Sequence, residues 1–357
     1  MKRDQEQVRI LSVTSVRNEG PYLLEWIAHH KAAGVTDFLV FSNDCEDGTE
    51  EILAALDAAG IVTHVPHERA RGKSIQWQAL HAAWKHPLRK AADWVLVSDV
   101  DEFLNIHTGD RTLGALLKAV PDDADGVVIP WRLFGSNDVL GVEDHPVTQQ
   151  FTRAIPADAQ YPVAASFFKT LFRAKGPFNQ LGVHRPKQKS AEKAGLPVFV
   201  DGSGKVLPEG MVANQNRLSL FGISSGRKLV EMNHYSVRSA AAFLIKKARG
   251  LPNRASKPVD LTYWVERNFN TVEDRSIDAM RAATEAELAR LWAVPGLERL
   301  HKQTVAWHQA RFSELVLDLE NHSLLVQILT AGGSQVVPEY LQQQLVRWYQ
   351  VAHKNNT

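Results

Sequence analysis

Through the first third of the chain, short apolar runs alternate with stretches whose apolar residues recur at helical spacing. Val8 to Val16 reads as a strand that ends at the turn residues Arg17-Asn18-Glu19-Gly20. Pro21 suits the first turn of a helix with Leu23, Leu24, Ile27 and Ala28 on its apolar face and Gly34 as its stop. A second strand, Asp37 to Ser42, runs into the turn-rich loop Asn43-Asp44-Cys45-Glu46-Asp47-Gly48. Thr49 opens a helix with Ile52, Leu53 and Leu56 inward. After it come a strand from Ile61 to Val65, a basic loop (Arg69, Arg71, Lys73), and a helix carrying Trp77, Leu80, His81 and Trp84. Asp93 to Val97 is a fourth strand, ending at Ser98-Asp99-Val100-Asp101. Repeated strand–helix units predict a mainly parallel sheet that binds ligands at the carboxyl ends of its strands.

From about Gly126 the pattern changes to shorter strands (Val127 to Trp131, Phe167 to Arg173, Leu229 to Met232) separated by polar loops. Ser239 is placed to cap a short helix that stops at Gly250, ahead of Pro252. After Asp274 the pattern is helical. Thr284 with Glu287 reads as a capping box, Pro295-Gly296 as a break, and Leu300 to Leu329 and Tyr340 to Val351 as helices. The expected division is an α/β unit over residues 1–250 and a helical region over 251–357.

Composition narrows the function. Forty-one basic residues against 40 acidic ones leave no electrostatic basis for a nucleic-acid partner. The single cysteine, Cys45, excludes an internal disulfide and a multi-thiolate zinc site. No apolar run approaches the ~18 residues of a membrane span, and no secretory segment follows the charged N-terminus. A cytoplasmic protein is expected. The basic stretch Arg238, Lys246, Lys247, Arg249 and Arg254 is a candidate for peripheral contact with the inner membrane face, for an acidic glycan, or for a diphosphate.

The chemistry concentrates at Val97-Ser98-Asp99-Val100-Asp101-Glu102-Phe103. Two carboxylates spaced by two project to one face at a strand end, which suits a hard divalent cation that keeps sites open for phosphate. A haloacid-dehalogenase-type phosphatase would need Thr or Val where Phe103 stands. A phosphate loop around Gly72-Lys73-Ser74 would need glycine at His67. Both alternatives fail on a specific residue.

Around this pair the chain resembles glycosyltransferases of the GT-A fold, in the family 2-like and family 92-like group. The opening segment Val16-Arg17-Asn18-Glu19-Gly20-Pro21-Tyr22, the loop Phe41-Ser42-Asn43-Asp44, and Asp99-Val100-Asp101-Glu102-Phe103 are similar to motifs of that group. Trp131-Arg132-Leu133-Phe134-Gly135-Ser136, Lys169-Thr170-Leu171-Phe172-Arg173, Val183-His184-Arg185-Pro186 and Asn233-His234-Tyr235-Ser236-Val237-Arg238-Ser239 complete the ordered set. The resemblance implies a GT-A core, Rossmann-like with a mainly parallel sheet, and a C-terminal helical appendage.

It also implies a metal-dependent, inverting transfer of a sugar from a nucleotide donor, a UDP-sugar, to a hydroxyl of a glycan or glycolipid. Ser15, Asn18, Glu19, Asp44, Lys73 and Asp99 are the expected nucleotide-binding residues. Asp99, Asp101 and His234, with His184 as runner-up, are the expected ligands of Mn2+ or Mg2+. An inverting transfer needs a base for the acceptor proton. Asp138, Glu143 and Asp144, after Trp131, are the candidates. The competing functions are a nucleotidyltransferase on a related fold, disfavoured by the single glycine in Arg17-Asn18-Glu19-Gly20, and an inactive carbohydrate-binding relative, which would have lost the acidic pair.

Overall fold

The structure, a computed structural model, describes residues 8–68, 70, 74–250 and 258–355. Lys73, Arg254 and Pro252 lie outside the described residues.

The expected alternation is present. Strands β1 (Ile10–Val16), β2 (Asp37–Ser42), β3 (Thr63–Pro66) and β4 (Trp94–Val97) are joined through helices α1 (Gly20–Ala32), α2 (Thr49–Ala58) and α3 (Ile75–Lys85). The second half adds β5 (Glu102–Ile106), α4 (Leu113–Ala119), β6 (Gly126–Leu133), β7 (Phe168–Arg173), β8 (Phe199–Val200), β9 (Val230–His234) and α5 (Ala240–Arg249). They form one sheet in the order β3-β2-β1-β4-β7-β6-β9-β5, with β8 beside β6. β1 pairs in parallel with both β2 and β4, so the chain reverses its direction of travel across the sheet at β1. That switch opens a crevice at the carboxyl ends of β1 and β4. β7 runs antiparallel between β4 and β6, and β5 antiparallel to β9, so the far half is mixed.

The strands are apolar on both faces because both faces are covered. Along β4, Trp94 and Leu96 join the core under α1, while Val95 and Val97 join the one under α3. Ser239 caps α5 by accepting from the Ala242 N–H at 3.2 Å, and Gly250 ends it at φ 74°. The reading of Thr284 as a cap is corrected. Helix α7 (Arg281–Trp292), which follows the short helix α6 (Leu261–Val265), already runs through Thr284, whose hydroxyl donates to the Met280 carbonyl. The single run expected from Leu300 to Leu329 is two helices, α8 (Leu297–Leu315) and α9 (Leu319–Ala331), because Asp318 caps the second. Helix α10 is Glu339–Asn355.

The C-terminal helices do not stand apart from the sheet. Helix α7 packs along α1, and α8 packs on α1, α2 and α5. A Cβ on Gly20 would lie 2.5 Å from Thr304 of α8, so only glycine permits this approach. The described helical region therefore closes directly over the first two loops of the α/β unit. Among the described residues, no helix is long and apolar enough to cross a membrane.

Candidate active site at the strand ends

The switch point carries a cavity of about 500 Å³. Ser15 reaches it from the end of β1, Arg17 and Glu19 from the loop after β1, Asp99 and Asp101 from the loop after β4, and His234 from the end of β9. His184, Lys246 and Arg249 add to its polar wall, while Trp131, Phe167 and Tyr263 supply flat apolar surface. Of the expected residues, Ser15, Glu19, Asp99, Asp101, His184 and His234 are thus brought together.

Each carboxylate of the Asp99/Asp101 pair already meets a lysine. Lys169, fully buried on β7, sits 2.9 Å from Asp99 and 3.2 Å from Glu102. Burial alone would lower the Lys169 pKa, but Asp99 and then Glu102 raise it, so the ammonium is charged at every ordinary pH. Burial pushes Glu102 up to about 8 against the pull of that lysine. On the other carboxylate, Lys246 lies 2.9 Å from Asp101 Oδ2, and His234 Nε2 lies 3.6 Å from Oδ1. Burial opposes ionisation of Asp101, yet Lys246 foremost and then His234 hold its pKa well below the usual carboxylate range. His234 packs on Trp131 with centroids 4.0 Å apart and the rings tilted by 44°, and burial lowers its pKa against the pull of Asp101. An imidazole and two carboxylates facing one cavity are donors of the type that Mn2+ or Mg2+ accepts. The donor chemistry therefore fits such an ion, although one oxygen of each carboxylate is held by a lysine. Among the described residues, no three His, Cys, Asp or Glu side chains are gathered tightly enough to enclose a metal.

His184 is turned differently. Its Nδ1 is 2.9 Å from the Phe168 carbonyl, and burial lowers its pKa to about 3. It lies against Trp131 and Phe167 as part of the aromatic wall.

The first loops are braced rather than open. Glu19 accepts from Arg238 at 2.8 Å and from Arg249; burial is the largest single influence and would raise its pKa, but Arg249 and Arg238 together outweigh it and lower it. Asn18, at φ 52°, uses its side-chain oxygen to accept the Glu46 N–H. Asp44 is exposed and outside the cavity lining, with Asn43 in its place on the wall. Asp47, unassigned in the sequence, is the buried anchor of the second loop. It accepts from the Gly20 N–H at 3.0 Å, the Thr49 hydroxyl at 2.6 Å and His308 Nε2 of α8 at 2.9 Å.

The expected base candidates are placed elsewhere. Asp138 accepts from Asn270, Glu143 from Gln150, and Asp144 from His301, and none of the three lines the cavity. The reason is local: Asn137 and Asp138 both take positive φ, which turns the chain away after β6. Glu266, just beyond α6, does line the cavity, next to Arg267 at 2.9 Å. Nothing in its neighbourhood in the sequence marks it, because it reaches the site only through the packing of α6. Lys169 lay inside a recognised motif without a role, and Arg238, read as part of a basic docking stretch, is instead buried against Glu19. A buried charge in an otherwise apolar strand was the available signal for Lys169.

The sequence profile of glycosyltransferase family 92 matches residues 13–195, which span both loops and the acidic pair. The chain belongs to glycosyltransferase family 92. A family 92 protein of Oryza sativa subsp. japonica is 31% identical over 108 residues, 29% of this chain and 17% of the relative. One of Ricinus communis is 33% identical over 99 residues, 27% of this chain and 17% of that protein. The matched stretch is thus under a fifth of the length of these curated relatives. Among solved structures, S. aureus TarS 1-349 aligns at 13% identity over 86% of this chain and 90% of its own, with a TM-score of 0.33. A mannosyltransferase of Pyrobaculum calidifontis, solved with GDP-Man and Mn2+, aligns at 12% identity over 92% and 86%, with a TM-score of 0.28.

Proposed function

We propose that this family 92 chain transfers a sugar from a nucleoside diphosphate donor, a UDP-sugar, to a hydroxyl of a glycan or glycolipid, with inversion. The observation that carries the reading is the placement of Asp99 and Asp101 at the switch point, facing the β1 loop across one cavity. The nucleoside lies along Ser15 and Asn43, and the diphosphate beside Asp101. The residues that would hold Mn2+ or Mg2+ are Asp99, Asp101 and His234, and the ion would supply neutralisation of the departing diphosphate. Trp131, Phe167 and Tyr263 offer faces on which a sugar ring packs. Glu266 takes the proton of the attacking hydroxyl, in place of the three carboxylates that lie outside the cavity.

The test is turnover. A panel of nucleotide sugars is incubated with Mn2+ and glycan acceptors, and products are weighed by mass spectrometry. One donor should give a glycosylated product and release its nucleoside diphosphate, and Asp101→Ala should abolish both. Retention of full turnover in Asp101→Ala, or transfer of a nucleotidyl group, would overturn the reading.

A further inference from the structure

The last turn of α5 carries Lys246, Lys247 and Arg249, and the fold gives them different tasks. Lys247 turns outward onto Glu320 at 2.7 Å and Asn321 at 2.8 Å, both on α9. Lys246 and Arg249 turn inward and line the cavity together with Arg17. Arg17 and Arg249 grip one another's main chain. Arg17 Nη1 donates to the Arg249 carbonyl at 3.0 Å, while Arg249 Nη1 donates to the carbonyls of Arg17 and Asn18. Two guanidinium groups are thereby fixed side by side at the end of β1.

Their charge is incompletely offset. Glu19 faces Arg249, but it is shared with Arg238. Arg17 bonds to the carbonyls of Asp44 and Arg249, and among the described residues no carboxylate pairs with it. Lys246 spends two of its three N–H donors, on Asp101 and the Ser236 carbonyl. The helix C-terminus stabilises these cations where they stand. Like charges held together in a partly desolvated cleft raise the energy of the empty site, and an anion with several oxygens relieves it. Arginine forks and a lysine point charge suit phosphate oxygens in particular.

We propose that Lys246, Arg249 and Arg17 form a protein-borne anchor for the donor's diphosphate, which binds a nucleoside diphosphate with no divalent cation present. The proposal rests on the sugar-nucleotide reading above. It adds that the diphosphate is held by residues of α5 and the β1 loop before any ion arrives. The sugar donor can then dock first, and the leaving diphosphate keeps its cationic partners as the bond to the sugar breaks.

Calorimetric titration of the full chain with UDP, inorganic pyrophosphate and uridine, each in excess EDTA and again with Mn2+, tests it. UDP and pyrophosphate should bind in EDTA. Lys246→Met, Arg249→Met and Arg17→Leu should each weaken both by ~10-fold or more, since each removes a charge-assisted contact, while uridine affinity is unchanged. Arg17→Leu guards against loss of fold, because it breaks no ion pair among the described residues. Binding of UDP with Mn2+ and none in EDTA would overturn the anchor and leave the transferase reading standing. Binding in EDTA at wild-type strength in all three variants would also overturn the anchor. No binding of UDP or pyrophosphate under either condition would overturn both.

Discussion

Replacing His308 with alanine probes how the C-terminal helices hold the nucleotide loops. Asp47 is buried, and His308 of α8 is one of its four donors, at 2.9 Å. The other three come from Gly20 and Thr49, so the variant leaves a buried carboxylate short of one partner rather than bare. Breaking a buried pair from one side costs ~3–5 kcal/mol, and three surviving donors place the loss near the lower end, about 3 kcal/mol. At roughly 2 °C per kcal/mol for a chain of this size, the melting temperature should fall by about 6 °C. The pH dependence follows from Asp47. Burial raises its pKa, but the His308 hydrogen bond and charge, with Thr49, outweigh this and lower it. The stabilisation is therefore present above the unfolded carboxylate pKa of ~3.9 and is lost as pH falls through the lower folded value. The gap between wild type and His308→Ala should be full near about pH 7 and shrink near about pH 3. Scanning calorimetry at both values reads it. A melting temperature within ~1 °C of wild type at neutral pH would refute the claim that α8 braces the loops.

Gly20→Ala should lose ~1–3 kcal/mol in urea unfolding, because its Cβ meets Thr304 at 2.5 Å. Glu266→Gln should lower turnover by at least ~10²-fold at unchanged UDP affinity, whereas Asp138→Asn, Glu143→Gln and Asp144→Asn should stay within a few-fold of wild type; assays with a defined donor decide. Cys45 should alkylate far more slowly than a free thiol at about pH 8, since burial foremost pushes its pKa to about 12, and mass spectrometry of iodoacetamide-treated protein follows this.

The elements that were legible in the sequence are those specified locally. β2 runs over the residues its apolar pattern marks, and Ser239 and Gly250 bound α5 as capping chemistry requires. Asp99 and Asp101 were legible because strand-end carboxylates need only the strand to be placed. What stayed hidden depends on long-range packing. Lys169 comes to Asp99 because β7 inserts antiparallel between β4 and β6, and no period in the sequence encodes that insertion. His308 reaches Asp47 across 261 positions, and Glu266 enters the cavity through the docking of α6. The acidic residues after Trp131 lie outside the cavity for the opposite reason. Their order along the chain suited a base, but positive φ at Asn137 and Asp138 directs them elsewhere.

The central claim is that a nucleoside diphosphate occupies the crevice between the β1 loop, the Asp99/Asp101 pair and the end of α5. A crystal structure of the protein grown with UDP and Mn2+ tests this most directly. Density should show the base and ribose along Ser15 and Asn43, with the diphosphate between Asp101 and the Lys246, Arg249 and Arg17 side chains. UDP bound elsewhere on the molecule, with the strand-end cavity empty, would contradict the account.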